Sequence, residues 1–108
     1  MANVEKFIRD GKVAVIYSPG YGAGWSTWNK KAQESFMFDK NLVIAVLNGN
    51  HKEIERIALQ ILPDAYISST IEEVLKIAWL EQGEKFFIKE YDGSESIVLM
   101  KDFKTFEA

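Results

Sequence analysis

The sequence predicts an α+β fold, an α/β chain whose small mixed sheet ends in a C-terminal antiparallel hairpin and carries two or three helices. Three observations predict it. Lys12–Ser18 (KVAVIYS) is a β-branched, apolar run stopping at Pro19–Gly20, the pattern of a buried strand closed by a turn. Two amphipathic stripes at helical spacing fill Asp39–Leu47 and His51–Leu62. Asp92–Gly93 lies between two strand-like runs and is a strong short-range signal for a tight hairpin.

Taken in order, Val4, Phe7 and Ile8 repeat at helical spacing behind Asn3, a residue suited to capping, and Gly11 is a natural stop. One or two helical turns are expected there, before the strand. Leu42, Val43, Val46 and Leu47 form the first long stripe, opened by Asp39 as its cap and closed by Asn48–Gly49–Asn50. Ile54, Ile57, Ala58, Ile61 and Leu62 form the second, with Lys52, Glu53 and Arg56 on its wet side and Pro63 as its end.

Ala65–Ser68 reads as a short strand. Thr70–Leu80 carries two periods at once. Ser69-x-x-Glu72 resembles a capping box and Ile71, Val74, Leu75 and Ala78 keep a helical repeat, yet Leu75, Ile77 and Trp79 alternate as a strand does. The reading is a loop or helical turn at Thr70–Glu73, then a strand over Val74–Leu80. Glu84–Tyr91 and Ser94–Met100 are the arms of the C-terminal hairpin.

A length of 108 residues, 47% of them hydrophobic and 27% charged, is that of one folded domain spanning 1–108. Three Trp, four Tyr and seven Phe are too many to be interior in so small a chain. Some belong in a pocket or at an interface, and a homo-oligomer would help bury them. There is no cysteine, so no disulfide, thiolate nucleophile or cysteine metal site.

The N-terminus has acidic residues and no apolar h-region, and no apolar run approaches the roughly 20 residues that cross a bilayer. A cytoplasmic protein with no membrane contact is expected. The net charge of −3, with Lys30–Lys31 as the only adjacent basic pair, argues against binding extended nucleic acid. A ligand carrying a few phosphates can still be held locally.

The informative segment is Pro19–Asn29, PGYGAGWSTWN. Gly20, Gly22 and Gly24 alternate with Tyr21, Ala23 and Trp25, and Ser26, Thr27, Trp28 and Asn29 follow. Three glycines in five residues carry an entropic cost, which implies positive φ angles, a tight turn, or close approach of another group to the backbone. The aromatics offer flat faces for a base or sugar, and Ser26, Thr27 and Asn29 offer short hydrogen-bonding groups. A helix opening at Ser26 or Thr27 would turn free N–H groups toward an anion. The alternative is a convoluted turn with Trp25 and Trp28 plugging the core.

Known phosphate motifs are not met. Trp25 stands where a P-loop needs lysine, and also where the dinucleotide fingerprint needs its third glycine. No cofactor is expected. His51, the lone histidine, opens a helix and reads as a solvated residue, so no metal site is expected either. Glu90, Asp92 and Glu95 gather around the hairpin with Tyr91. Asp92 and Gly93 are turn chemistry, whereas Glu90, Tyr91 and Glu95 are candidates for ligand contact, one of the first two facing inward by alternation.

At VAVIYSPGYGAGWSTWN and EYDGSES the chain resembles a family of small phage and prophage proteins of unassigned function. The resemblance spans most of the chain. It implies the strand reading of Val74–Leu80 and singles out Gly20–Asn29 and Glu90–Glu95 together. A phage setting implies a protein that neutralises a host defence, by sequestering a nucleotide signal or by plugging a host protein.

Three readings follow. The first is a small-molecule binder, its ligand of nucleotide type, held between the Gly-aromatic loop and the hairpin. The second is a protein–protein module anchored by Tyr21, Trp25 and Trp28. The third, ranked last, is an enzyme using Glu90 or Glu95 as acid or base.

Overall fold

The computed structural model describes residues 4–102 and 108, and its class is α+β with antiparallel pairing throughout. β1 (Ile8–Arg9), β2 (Lys12–Tyr17) and β3 (Lys76–Glu81) form one sheet in the order β1-β2-β3. β4 (Phe86–Tyr91) and β5 (Ser94–Leu99) form the C-terminal hairpin, in the register Tyr91↔Ser94 to Phe86↔Leu99. Between β2 and β3 lie α1 (Gln33–Phe38), α2 (Lys40–Leu47), α3 (His51–Ile61) and the single turn α4 (Ile71–Val74). Ala14 and Ile16 of β2 meet Trp25, Phe36, Leu42, Ile54, Ile57 and Ile71 in one hydrophobic cluster. Among the described residues no helix is long and apolar enough to cross a membrane.

The expected N-terminal helix is not formed; Ile8–Arg9 is a strand paired with Val13 and Lys12. Asp10 and Gly11 both take positive φ, 53° and 78°, as the centre of a type I′ hairpin requires. Gly11 is therefore the second turn residue and not a helix stop, and the Asn3 cap lies outside the described residues. Asp92 and Gly93 repeat that geometry at φ 50° and 84°, as expected from the sequence.

The two long stripes fold as read. Asp39 caps α2 by accepting from the Leu42 N–H at 3.0 Å, and Asn50 caps α3 by accepting from Glu53 at 3.2 Å. The helical turn and strand after Thr70 also form, with the strand starting two residues later, at Lys76. The Ser69 capping box does not form, because Thr70 takes the cap position without a side-chain bond. Ala65–Ser68 is irregular and not a strand. Its backbone polar groups at Tyr66 are met by a side chain, Asn29, which takes the place of a neighbouring strand.

Glu72 turns instead to His51, which is half-buried rather than solvated. His51 Nδ1 meets the Glu72 carboxylate, and its Nε2 lies 3.5 Å from Glu55. The Glu72 hydrogen bond raises the histidine pKa above 6.5; partial burial opposes this, and the charge of Glu72 and the Glu55 contact reinforce it. The same bond lowers the Glu72 carboxyl below 4.5.

A raised histidine stabilises fully below its unfolded pKa and loses that contribution as pH rises through the folded value. A lowered carboxylate contributes above its unfolded pKa and loses it as pH falls. The clasp between α3 and α4 is thus strongest at about pH 5–6. Thermal melts should show the largest gap between the native chain and His51→Gln in that window, closing as pH rises through the raised pKa of the folded histidine. A gap that is flat with pH excludes the ion pair as its source.

Candidate functional site

β2 delivers the chain at Ser18 into the glycine loop, and the hairpin turn between β4 and β5 folds down onto it. The Gly22 N–H donates to Asp92 O at 2.7 Å, the Glu95 N–H to Ser18 O at 2.7 Å, and the Ser94 hydroxyl to Pro19 O at 2.8 Å. At the centre lies the Glu95 carboxylate, 1% exposed. Its Oε1 accepts from Ser18 N–H at 2.9 Å, and its Oε2 accepts from the N–H groups of Trp25 and Thr27 at 3.0 Å and from the Thr27 hydroxyl at 2.5 Å.

The 3₁₀ turn Ser26–Trp28 does open with donors aimed at an anion, as the sequence led one to expect. The anion is the chain's own Glu95. Charge-assisted bonds of this kind are the strong ones, and four of them offset the burial of the charge.

This pairing explains the glycines from within. A Cβ on Gly24 would stand 2.3 Å from the Trp28 ring, and one on Gly93 would stand 2.8 Å from Gly22 N and 2.9 Å from Trp28 Cζ2. Gly20 faces Val74 at 3.2 Å, while Gly22 is exposed with φ 71°. The body that presses on the loop backbone is the molecule itself: one indole and one hairpin turn.

Trp25 is 0% exposed, tilted against Phe36 at 4.6 Å, with its indole N–H donating to Phe36 O at 2.6 Å. Ser26 is buried, and its hydroxyl, like that of Ser18, has no hydrogen-bond partner among the described residues. Asn29 is buried and fully engaged. Its Nδ2 donates to Trp25 O at 2.8 Å and Tyr66 O at 3.0 Å, and its Oδ1 accepts from Tyr66 N–H at 2.8 Å. Trp25, Ser26, Asn29 and Glu95 therefore build the loop from inside.

The remaining candidates reach the surface. Tyr21 and Tyr91 are each 73% exposed and meet edge to face at 6.5 Å. Glu90 stands opposite Glu95 in the hairpin register. Two carboxylates so placed repel, and the Gly93 N–H at 2.8 Å and the Trp28 indole N–H at 3.3 Å offset this by donating to Glu90. By the alternation of the strand Glu90 shares the face of Glu95 and reaches the Trp28 indole, while Tyr91 lies on the other face; both stay exposed, and Glu95 is the buried one.

Trp28 is 38% exposed and forms one side of an open groove of about 330 Å³. Thr27, Lys30 and Lys31 line it from the loop side, and Leu62, Asp64 and Tyr66 from the segment following α3. The Trp28 and Tyr66 rings meet edge to face at 4.9 Å, and the Tyr66 hydroxyl donates to Gly22 O at 2.7 Å. The side chains of Lys30, Lys31 and Asp64 make no hydrogen bond or ion pair among the described residues. Unpaired charge beside exposed aromatic surface is what an orienting site needs.

Sequence reading missed Asp64 and Tyr66, which lie far from the loop in the chain, and noted Lys30–Lys31 only as a basic pair. A larger hollow of about 450 Å³ lies between α1 and β4. It is mostly apolar, lined by Met37, Phe38, Phe86 and Ile88, with Gln33 and Glu34 as its polar side chains. No cation lines it among the described residues. Among the described residues no group of three His, Asp or Glu could hold a metal ion. No protein-family model matches the chain, and comparison with curated proteins and with solved structures gives no match.

Proposed function

We propose that this chain is a small-molecule binding protein whose groove beside Trp28 takes an anionic, ring-bearing ligand of nucleotide type. One observation carries the reading: the exposed parts of Trp28 and Tyr66 share a groove with two ammonium groups, Lys30 and Lys31, that no carboxylate among the described residues neutralises. Aromatic surface takes up a base or sugar, and unpaired lysines take up phosphate. Glu95 and Asn29 support the reading indirectly, by holding the two walls in place. The enclosure of Glu95 leaves it no room for acid–base chemistry on a substrate.

A cytoplasmic setting goes with this reading, since free nucleotides are found there. In the phage setting that the resemblance implies, such a protein would withdraw a nucleotide signal from the host.

The test is a fluorescence titration with nucleoside monophosphates at low salt. Quenching is expected in the native chain and should be lost in Trp28→Phe, which keeps a ring but removes the reporting indole. Lys30→Glu with Lys31→Glu should weaken binding at least about tenfold, and the native affinity should fall as salt rises. Quenching that survives the double lysine change would place the ligand elsewhere.

Tyr21 and Tyr91 favour a second reading. Both rings are largely exposed and meet each other at the rim. Such residues are the usual anchors of a protein interface, with a host protein or a second copy of this chain as the partner. Tyr21→Ala with Tyr91→Ala separates the two readings, because it removes the anchors and leaves the groove untouched.

A further inference from the structure

We infer that the groove selects a guanine nucleotide, with Asp64 reading the base while Lys30 and Lys31 hold the phosphate. This rests on the groove reading above and adds the identity of the base. The starting observation is that charges of both signs line one groove without neutralising each other. Asp64 forms no ion pair with Lys30 or Lys31, nor with any other described residue.

A ligand that satisfies both ends must offer N–H donors at one end and negative charge at the other. A carboxylate has two acceptor oxygens and no donor, so it prefers two N–H groups side by side. Guanine presents that pattern on its Watson–Crick edge, N1–H next to the exocyclic amine. Adenine and cytosine place an acceptor nitrogen beside their amine, and uracil flanks its single N–H with carbonyls. A carboxylate facing any of these meets at least one lone pair.

The other groups fit the rest of such a molecule. Trp28 and Tyr66 supply flat apolar surface for the purine. The adjacent lysines supply mobile point charges, which suit a phosphate whose position is set by the base. A volume of about 330 Å³ lies within the range of small-ligand sites.

The experiment titrates the full chain with GMP, AMP, guanosine and inorganic phosphate by calorimetry, beside Asp64→Asn. Asp64 is exposed, so the variant should fold, and a thermal melt checks that it does. GMP is expected to bind about tenfold or more tighter than AMP, with guanosine and phosphate each weaker than GMP. Asp64→Asn should bring GMP down to the level of AMP while leaving AMP unchanged.

Equal binding of GMP and AMP by the native chain, lost in the lysine variants, would overturn the guanine assignment and leave the groove reading standing. A GMP preference that survives Asp64→Asn would overturn the role of Asp64. Absence of binding by all four probes would overturn both.

Discussion

Replacing Glu95 with alanine is expected to lower the free energy of unfolding by about 4 kcal/mol, a large share of what holds a domain of this size together. The carboxylate accepts from three backbone N–H groups and one hydroxyl, all buried. Removing it leaves donors without partners in a dry interior, which costs about 1–3 kcal/mol each before relaxation. Melting should fall by about 20 °C.

Glu95→Gln separates charge from shape. Its single amide oxygen can serve the Trp25 and Thr27 side, but its NH₂ group then faces the Ser18 N–H, donor against donor. A loss of about 2–3 kcal/mol is expected, between those of alanine and the native residue. Glu90→Gln, at the exposed partner position, should cost under about 1 kcal/mol. Urea unfolding ranks the three. Equal, small losses for Glu95→Ala and Glu90→Gln would mean that the loop is held by something other than this carboxylate.

Gly93→Ala should cost about 3 kcal/mol, and Gly83→Ala about 1 kcal/mol. The comparison is informative because both glycines have nearly the same positive φ, 84° and 83°, a region that a side chain disfavours at either site. They differ in what a Cβ would meet: nothing within 4 Å at Gly83, but Gly22 N, Ala23 N and Trp28 Cζ2 under 3 Å at Gly93. The difference in urea midpoint therefore measures how tightly the turn sits on the loop. Equal losses at the two sites would show that the hairpin can lift away without penalty.

How much of this could be read from the sequence depended on how local the cause was. The stripes of α2 and α3 and the turn at Asp92–Gly93 are local, and they were legible. The same dipeptide at Asp10–Gly11 was not, since Val4, Phe7 and Ile8 match a helical period over too few residues to tell it from a short strand. α1 escaped because Phe36 and Phe38, two residues apart, are both buried, which is not a helical stripe.

The glycine loop was visible as exceptional, but its cause was not, because the partners of Glu95 lie 68 to 77 residues before it. Nothing in an alternating strand marks which carboxylate turns inward. The groove was half legible for the same reason. Lys30–Lys31 stand beside Trp28 in the chain, whereas Tyr66, with Asp64 close to it in the chain, is brought there by the Asn29 amide, the Gly22 carbonyl and the Trp28 ring.

The long reach of Glu95 has a consequence for how the protein comes into being. During translation, Ser18, Trp25 and Thr27 leave the ribosome well before the residue that will accept their hydrogen bonds is synthesised. Until the final hairpin emerges, the nascent N-terminal third has no acid to close upon, so its aromatic segment waits in water. β5 is thus the latch that closes the glycine loop.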